Sequence, residues 1–178
     1  MSQRNSGYER EEKDYYPTPS WVTEALIPHL RRKPRVVWEP ACGENHMANV
    51  LSKHMTCYGT DIARGQDFLS YTGADGYDAI ITNPPYNLSV DFIEHSLRLM
   101  EPEMGMVAML LRTDYDHAKT RARLFRDCPS FAKKVVLTKR ITWFEPPPGV
   151  PGKCPSFNHA WYIWDYQHTG PPTIGYAP

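Results

Sequence analysis

The sequence predicts an α/β fold: a mostly parallel sheet with helices on both faces and an antiparallel terminal hairpin. Three observations point there. Short β-branched runs alternate with segments of helical periodicity through most of the chain. The runs end in Gly, Pro or polar residues, where strands stop and turns begin. The C-terminal part instead reads as strand, Pro-rich loop, strand.

Residues 1–14 are charged and poor in apolar side chains, and read as a flexible arm ahead of one folded domain over 15–168. Thr18-Pro19 is a helix start, Thr as N-cap and Pro at the first helical position, before an amphipathic stretch over 21–30. A strand over 35–39, a turn over 40–46, a short helix near 47–54 and a second strand over 56–60 follow. A third short strand is expected around Phe68-Leu69. The fourth, Tyr77-Asp78-Ala79-Ile80-Ile81-Thr82, runs up to Asn83. Val90, Phe92, Ile93, Leu97 and Met100 recur at near-helical spacing and predict a helix over 89–100. A fifth strand over 105–111 and a helix over 116–126 come next. The ending has a strand over 134–138, residues 141–144 extending or following it, and a loop over 145–156 with five prolines. A strand over 158–166 and a loosely ordered tail over 169–178 complete the chain.

At 178 residues, the length suits one packed core. Hydrophobic residues at 41% and charged residues at 22% are an ordinary globular mixture. The longest apolar stretch, 105–111, is too short to span a bilayer, and the polar start carries no apolar leader, so no membrane partner and no secretory signal are expected. Cys42, Cys57, Cys128 and Cys154 are scattered and read as reduced thiols of a cytoplasmic protein. His46, His95, His117 and His159 lack metal-ligand spacing, and no metal is expected. The net charge is zero, but residues 112–140 hold nine Lys or Arg against three Asp, either a surface that tracks phosphates or a solvated face.

Asn83-Pro84-Pro85-Tyr86 ends the fourth strand abruptly, because neither proline donates to a ladder. The two fixed φ angles make a stiff corner with an amide before it and a ring after it. Such a corner suits a planar, amine-bearing ligand. Other candidate residues also fall at strand ends. Glu39-Pro40-Ala41-Cys42-Gly43-Glu44-Asn45 is a strand-ending acid followed by a small-residue turn, with Gly43 allowing close backbone approach. Asp61 ends the second strand, where a carboxylate suits the hydroxyls of a ribose. Asp67-Phe68 offers an acid and a ring to an adenine.

This order resembles the class I S-adenosylmethionine-dependent N6-adenine methyltransferases, above all small phage and prophage DNA adenine methyltransferases, over residues 15–165. Tyr16-Pro17-Thr18-Pro19 looks like their Y-x-T-P element, and residues 39–45 like their E-P-A-x-G-x-G loop, with Asn45 replacing the second loop glycine. Asn tolerates left-handed geometry best after Gly. The resemblance implies a Rossmann-like class I methyltransferase sheet, a catalytic domain over 15–168 and S-adenosyl-L-methionine as cofactor. It implies catalysis by Asn83, Pro84, Pro85 and Tyr86. Cofactor contacts are then expected from Tyr16, Thr18, Pro19, Glu39, Pro40, Ala41, Cys42, Gly43, Asn45, Asp61, Ile62, Asp67, Phe68 and Asn83. Tyr86, Arg112, Phe157, Asn158 and His159 are the target-side candidates. Arg112 and Asp114 contact the target phosphate or pair with each other, and Trp143, Phe144, Phe157, Trp161 and Trp164 read as the core of the terminal hairpin rather than as a base-stacking platform. The expected partner is DNA, with RNA possible, and the protein a monomer or homodimer. Methylation of a protein glutamine and a silent cofactor-binding module are the alternatives.

Overall fold

The computed structural model describes residues 16–144 and 157–178; the expected arm over 1–14 and the Pro-rich loop over 145–156 lie outside them. One seven-stranded sheet runs in the order β2-β1-β3-β4-β6-β5-β7. Its strands are β1 (Val36–Glu39), β2 (Thr56–Gly59), β3 (Ala79–Thr82), β4 (Met106–Arg112), β5 (Phe131–Leu137), β6 (His159–Asp165) and β7 (Thr173–Ala177). The first four are mutually parallel. β6 inserts antiparallel between β4 and β5, and β7 lies parallel along the outer edge of β5.

Successive strand residues point to opposite faces, so each buried strand feeds two cores. Val37, Ile81, Ala108, Leu110, Trp161 and Ile163 meet Val22 and Leu26, from the segment of α1 (Ser20–Glu24), and Met47 and Leu51 of α2 (His46–Leu51). On the other face Trp38, Ile80, Val107, Met109, Tyr162 and Trp164 meet Phe92, Ile93 and Leu97 of α3 (Ser89–Met100). Each fully buried large apolar side chain contributes roughly 1.5–3 kcal/mol, whereas exposed pairs such as Arg126–Asp127 are screened by water and add little. The two apolar layers hold the fold. The buried indoles are also satisfied: Trp161 Nε1 donates to the Val22 carbonyl at 2.9 Å and Trp164 Nε1 to that of Leu124 at 2.6 Å.

The structure departs from the sequence reading in several places. The stretch over 21–30 breaks after α1 and resumes as a 3-10 turn, Ile27–His29, because Pro28 has no N–H to continue the helix. Phe68–Ser70 is a 3-10 turn rather than a strand: the Asp67 carboxylate accepts from Leu69 N at 3.0 Å, and the Phe68 ring anchors in the core. The helix expected over 116–126 is two 3-10 turns, Tyr115–His117 and Lys119–Leu124, with only Leu124 buried in them. No continuous apolar face exists there to pay for a helix. Residues 141–144 form no strand, although Ile141 is buried. The tail is not loose, since β7 covers the edge of β5 and Thr138 N donates to the Ala177 carbonyl at 2.9 Å. Gly175 permits that covering, because a Cβ there would sit 2.9 Å from His29 Nδ1.

Candidate active site

The chain leaves β1 toward β2 and then crosses back to β3 on the other side of β1. That reversal opens a crevice beyond the carboxyl ends of the strands. A cleft of about 1110 Å³ lies there, walled by Tyr16, Thr18, residues 39–44, Asp61, Ile62, Asp67, Phe68, residues 83–88 and several neighbours. Most of the expected cofactor residues therefore share one cavity. Pro19 and Asn45 do not line it. Pro19 caps α1, and Asn45 turns its side chain back toward Gly59, where an added Cβ would lie 2.9 Å from Asn45 Oδ1.

The loop after β1 is held from below. Gly43 and Asn45 both have positive φ, 48° and 65°, which makes the turn into α2. Asp61 Oδ2 accepts from Gly43 N at 2.7 Å, and Oδ1 accepts from Ala63 N at 2.8 Å. Asp61 thus ties the loop to the end of β2, and each of its oxygens has capacity to accept a further bond. Arg64 Nη2 donates to the Gly43 carbonyl at 2.8 Å. Sequence reading missed Arg64, because its partner lies in a loop 21 residues earlier and no spacing rule connects them.

Glu39 is 2% exposed, and its Oε2 has no hydrogen-bond partner among the described residues. Burial pushes its carboxyl up to about 8, opposed by the Ala48 backbone N–H and reinforced by the Asp61 charge. A buried acid with one oxygen unpartnered is unfavourable as an anion and suits a cationic ligand group. Phe68, 2% exposed, touches the cleft from within the core, edge-on to Trp38 and His95. Asp67 is exposed at the rim.

Asn83 leaves the buried β3, with Nδ2 donating to Thr18 Oγ1 at 3.2 Å and toward the Tyr16 carbonyl at 3.4 Å. Its Oδ1 has no partner among the described residues. The Tyr86 hydroxyl is hydrogen-bonded to His159 Nε2 at 3.1 Å. Rings crowd around this corner: Tyr16 lies 5.7 Å from Tyr86, and Trp143 stands edge-on to both Tyr16 and His159. His159 is 3% exposed, and burial, helped by the Arg112 charge, lowers its imidazole to about 4. It is neutral at ordinary pH.

The pairing of Arg112 with His159 across β4 and β6 brings Arg112, Phe157, Asn158 and His159 to the same end of the sheet, beside the cleft wall, whereas Tyr86 lies in that wall. Arg112 forms an ion pair with Asp114 at 3.0 Å and lies over the Phe157 ring at 4.2 Å. Asn158 Oδ1 accepts from Arg140 Nε at 2.9 Å. Trp161 and Trp164 are core, as the hairpin reading expected, whereas Phe144 is 38% exposed and Trp143 and Phe157 are half-buried. Among the described residues no cluster of three metal-ligating side chains occurs, and no helix is long and apolar enough to cross a membrane.

No protein-family model matches the sequence, and no curated protein matches it either. Solved structures do. The methyltransferase subunit of a type I restriction-modification system from Streptococcus thermophilus superposes with a TM-score of 0.61 at 11% identity, over 86% of this chain and 45% of that one. The chain therefore spans less than half of that neighbour. The 23S rRNA methyltransferase ErmE gives 0.54 at 14% identity over 89% and 71%. The plantazolicin methyltransferase BpumL, in complex with a desmethyl analogue and SAH, gives 0.51 at 14% identity over 82% and 83%. The shared feature is the fold, a Rossmann-like methyltransferase sheet, which in this chain has one antiparallel strand, β6, and helices on both faces.

Proposed function

We propose that this chain catalyses methyl transfer from S-adenosyl-L-methionine to the exocyclic N6 amine of adenine in DNA. One observation carries the reading. One cleft at the switch point is lined by Glu39 and Asn83, and each carries a buried polar atom without a partner among the described residues, Oε2 and Oδ1. The first fits an ammonium group and the second an amine hydrogen. Buried acceptors of this kind are costly unless a ligand completes them.

The residues fit the cofactor. Glu39 would receive its ammonium group, Asp61 would accept from the ribose hydroxyls with its remaining lone pairs, and Asp67 and Ile62 would border the adenine at the rim. Bound there, S-adenosylmethionine supplies a methyl group made electrophilic by its sulfonium. The chain's own task is to prepare the amine. Asn83 Oδ1 and the Pro84 carbonyl would each accept one amino hydrogen, drawing the nitrogen toward tetrahedral geometry and freeing its lone pair. Fixed acceptors aimed at developing positive charge act as an oxyanion hole does for negative charge, with a loss of about 2.7–4 kcal/mol when one is removed. Tyr86, held by His159, would stack on the target base, worth roughly 1–3 kcal/mol. In duplex DNA that base must leave the stack. The surplus proton goes to solvent, so the neutral His159 is not needed as a base.

The test is mass spectrometry of nucleosides from DNA and from RNA incubated with the protein and S-adenosylmethionine. N6-methyladenine in DNA is expected. Its appearance in RNA alone would move the substrate to RNA, and no methylated nucleoside in either would overturn the reading.

A further inference from the structure

We infer that Tyr16-Pro17-Thr18 is a strap that orients the Asn83 carboxamide, with the Tyr16 carbonyl selecting its NH2 end and Thr18 as the positioning side chain that holds it there. The inference rests on the function proposed above and adds a role for Thr18 that a cofactor contact does not include. A carboxamide has two ends of nearly equal shape and opposite hydrogen-bonding character. Only the oxygen end can accept from an amine, so a rotated Asn83 would present donors to donors. Tyr16 offers a backbone carbonyl, which can only accept, and therefore selects the NH2 end of Asn83. Thr18 Oγ1 accepts from the same nitrogen at 3.2 Å. With both contacts on Nδ2, the oxygen is the end left without a partner among the described residues.

Thr18 is 6% exposed, so water does not readily replace its hydroxyl. Nor is that hydroxyl occupied as a helix cap, because the N-cap of α1 is Pro19 and no side chain caps it. The same segment supports the other end of the corner, since the Tyr16 ring packs 5.7 Å from that of Tyr86. Amide and phenol thus lean on one stretch of backbone 65 residues or more upstream.

The test has a readout independent of activity. In the full-length 15N-labelled protein, the Asn83 side-chain NH2 pair is assigned by its loss in Asn83→Asp. It should exchange with water more slowly than the NH2 of the exposed Asn49. Thr18→Val should speed that exchange about tenfold, the scale of one lost hydrogen bond, and Thr18→Ser should restore it. With S-adenosylmethionine and an adenine-containing oligonucleotide, Thr18→Val should lower kcat about tenfold in the native background. It should lower kcat less than about twofold in Asn83→Asp, whose carboxylate presents an oxygen in either orientation. Any loss of cofactor affinity from the place of Thr18 in the cleft wall should be equal in the two backgrounds. Should Thr18→Val not fold, Thr18→Ala carries the same expectations.

Unaltered NH2 exchange, an equal kcat loss in both backgrounds, or a loss confined to cofactor affinity would overturn the strap. Protection that depends on Thr18 in a protein that methylates nothing would support the strap and overturn the function assigned to it.

Discussion

The Tyr86 hydroxyl lies 3.1 Å from Nε2 of His159, tying the ring of the Asn-Pro-Pro-Tyr corner to the first residue of a strand 73 positions away. His159 is itself locked by burial and by the edge of Trp143. The ring that would receive a base is therefore held by the sheet as well as by the Tyr16 ring.

Replacing His159 by Phe keeps a planar ring and removes the bond. KM for an adenine-containing oligonucleotide should rise roughly three- to tenfold, the equivalent of about 0.5–1.5 kcal/mol for one neutral hydrogen bond. Cofactor affinity should not move. Steady-state kinetics with each ligand varied in turn checks this, and an unchanged KM would remove His159 from the target side.

His159 also predicts an acid limit. Its imidazole is lowered from 6.5 to about 4, so the folded state favours the neutral ring. Its contribution to stability is present above pH 6.5 and is lost as pH falls toward 4. Thermal unfolding should show a fall in Tm across that window, shallower in His159→Phe.

Glu39 behaves in the opposite sense. Its carboxyl is raised from 4.5 to about 8, so its contribution is present below pH 4.5 and declines as pH rises to 8. Glu39→Gln should make the free protein less sensitive to alkaline pH and weaken S-adenosylmethionine binding tenfold or more, about 1.4 kcal/mol. Binding to the native protein at neutral pH should release a proton, measurable by calorimetry in buffers of different ionisation enthalpy. No proton release would mean that Glu39 does not meet the ammonium group.

Asn83→Ala should separate binding from chemistry. Cofactor affinity should stay near native while kcat falls about 10²–10³-fold, as when one charge-stabilising hydrogen-bonding group is lost. Equilibrium binding and single-turnover assays together read both quantities.

Gly59 is where β2 meets the loop after β1. A Cβ there would stand 2.9 Å from Cys42 Cβ, Cys42 Sγ and Asn45 Oδ1. Gly59→Ala should cost about 1–3 kcal/mol through overpacking and weaken cofactor binding by displacing the loop. Asn45→Ala should cost about 1–2 kcal/mol because its φ of 65° is left-handed, whereas Asn45→Gly should be nearly neutral. Denaturant titrations of the three variants test the ordering.

The sequence by itself determined most of the alternation of strands and helices, the α3 boundaries at Ser89–Met100, the end of β1 at Glu39, and the ends of β2 and β3 within two residues of Asp61 and Asn83. Those follow from local rules: apolar periodicity, the missing N–H of proline and the turn preferences of glycine. Only the tertiary structure decided that residues 116–126 stay in 3-10 turns, that the C-terminal segment becomes β7, and that Arg64 braces the Gly43 loop. It also decided which end of the Asn83 amide faces Thr18 and that His159 meets Tyr86. Each of these depends on a partner far away along the chain, brought near by sheet order, and no local pattern encodes such a pairing.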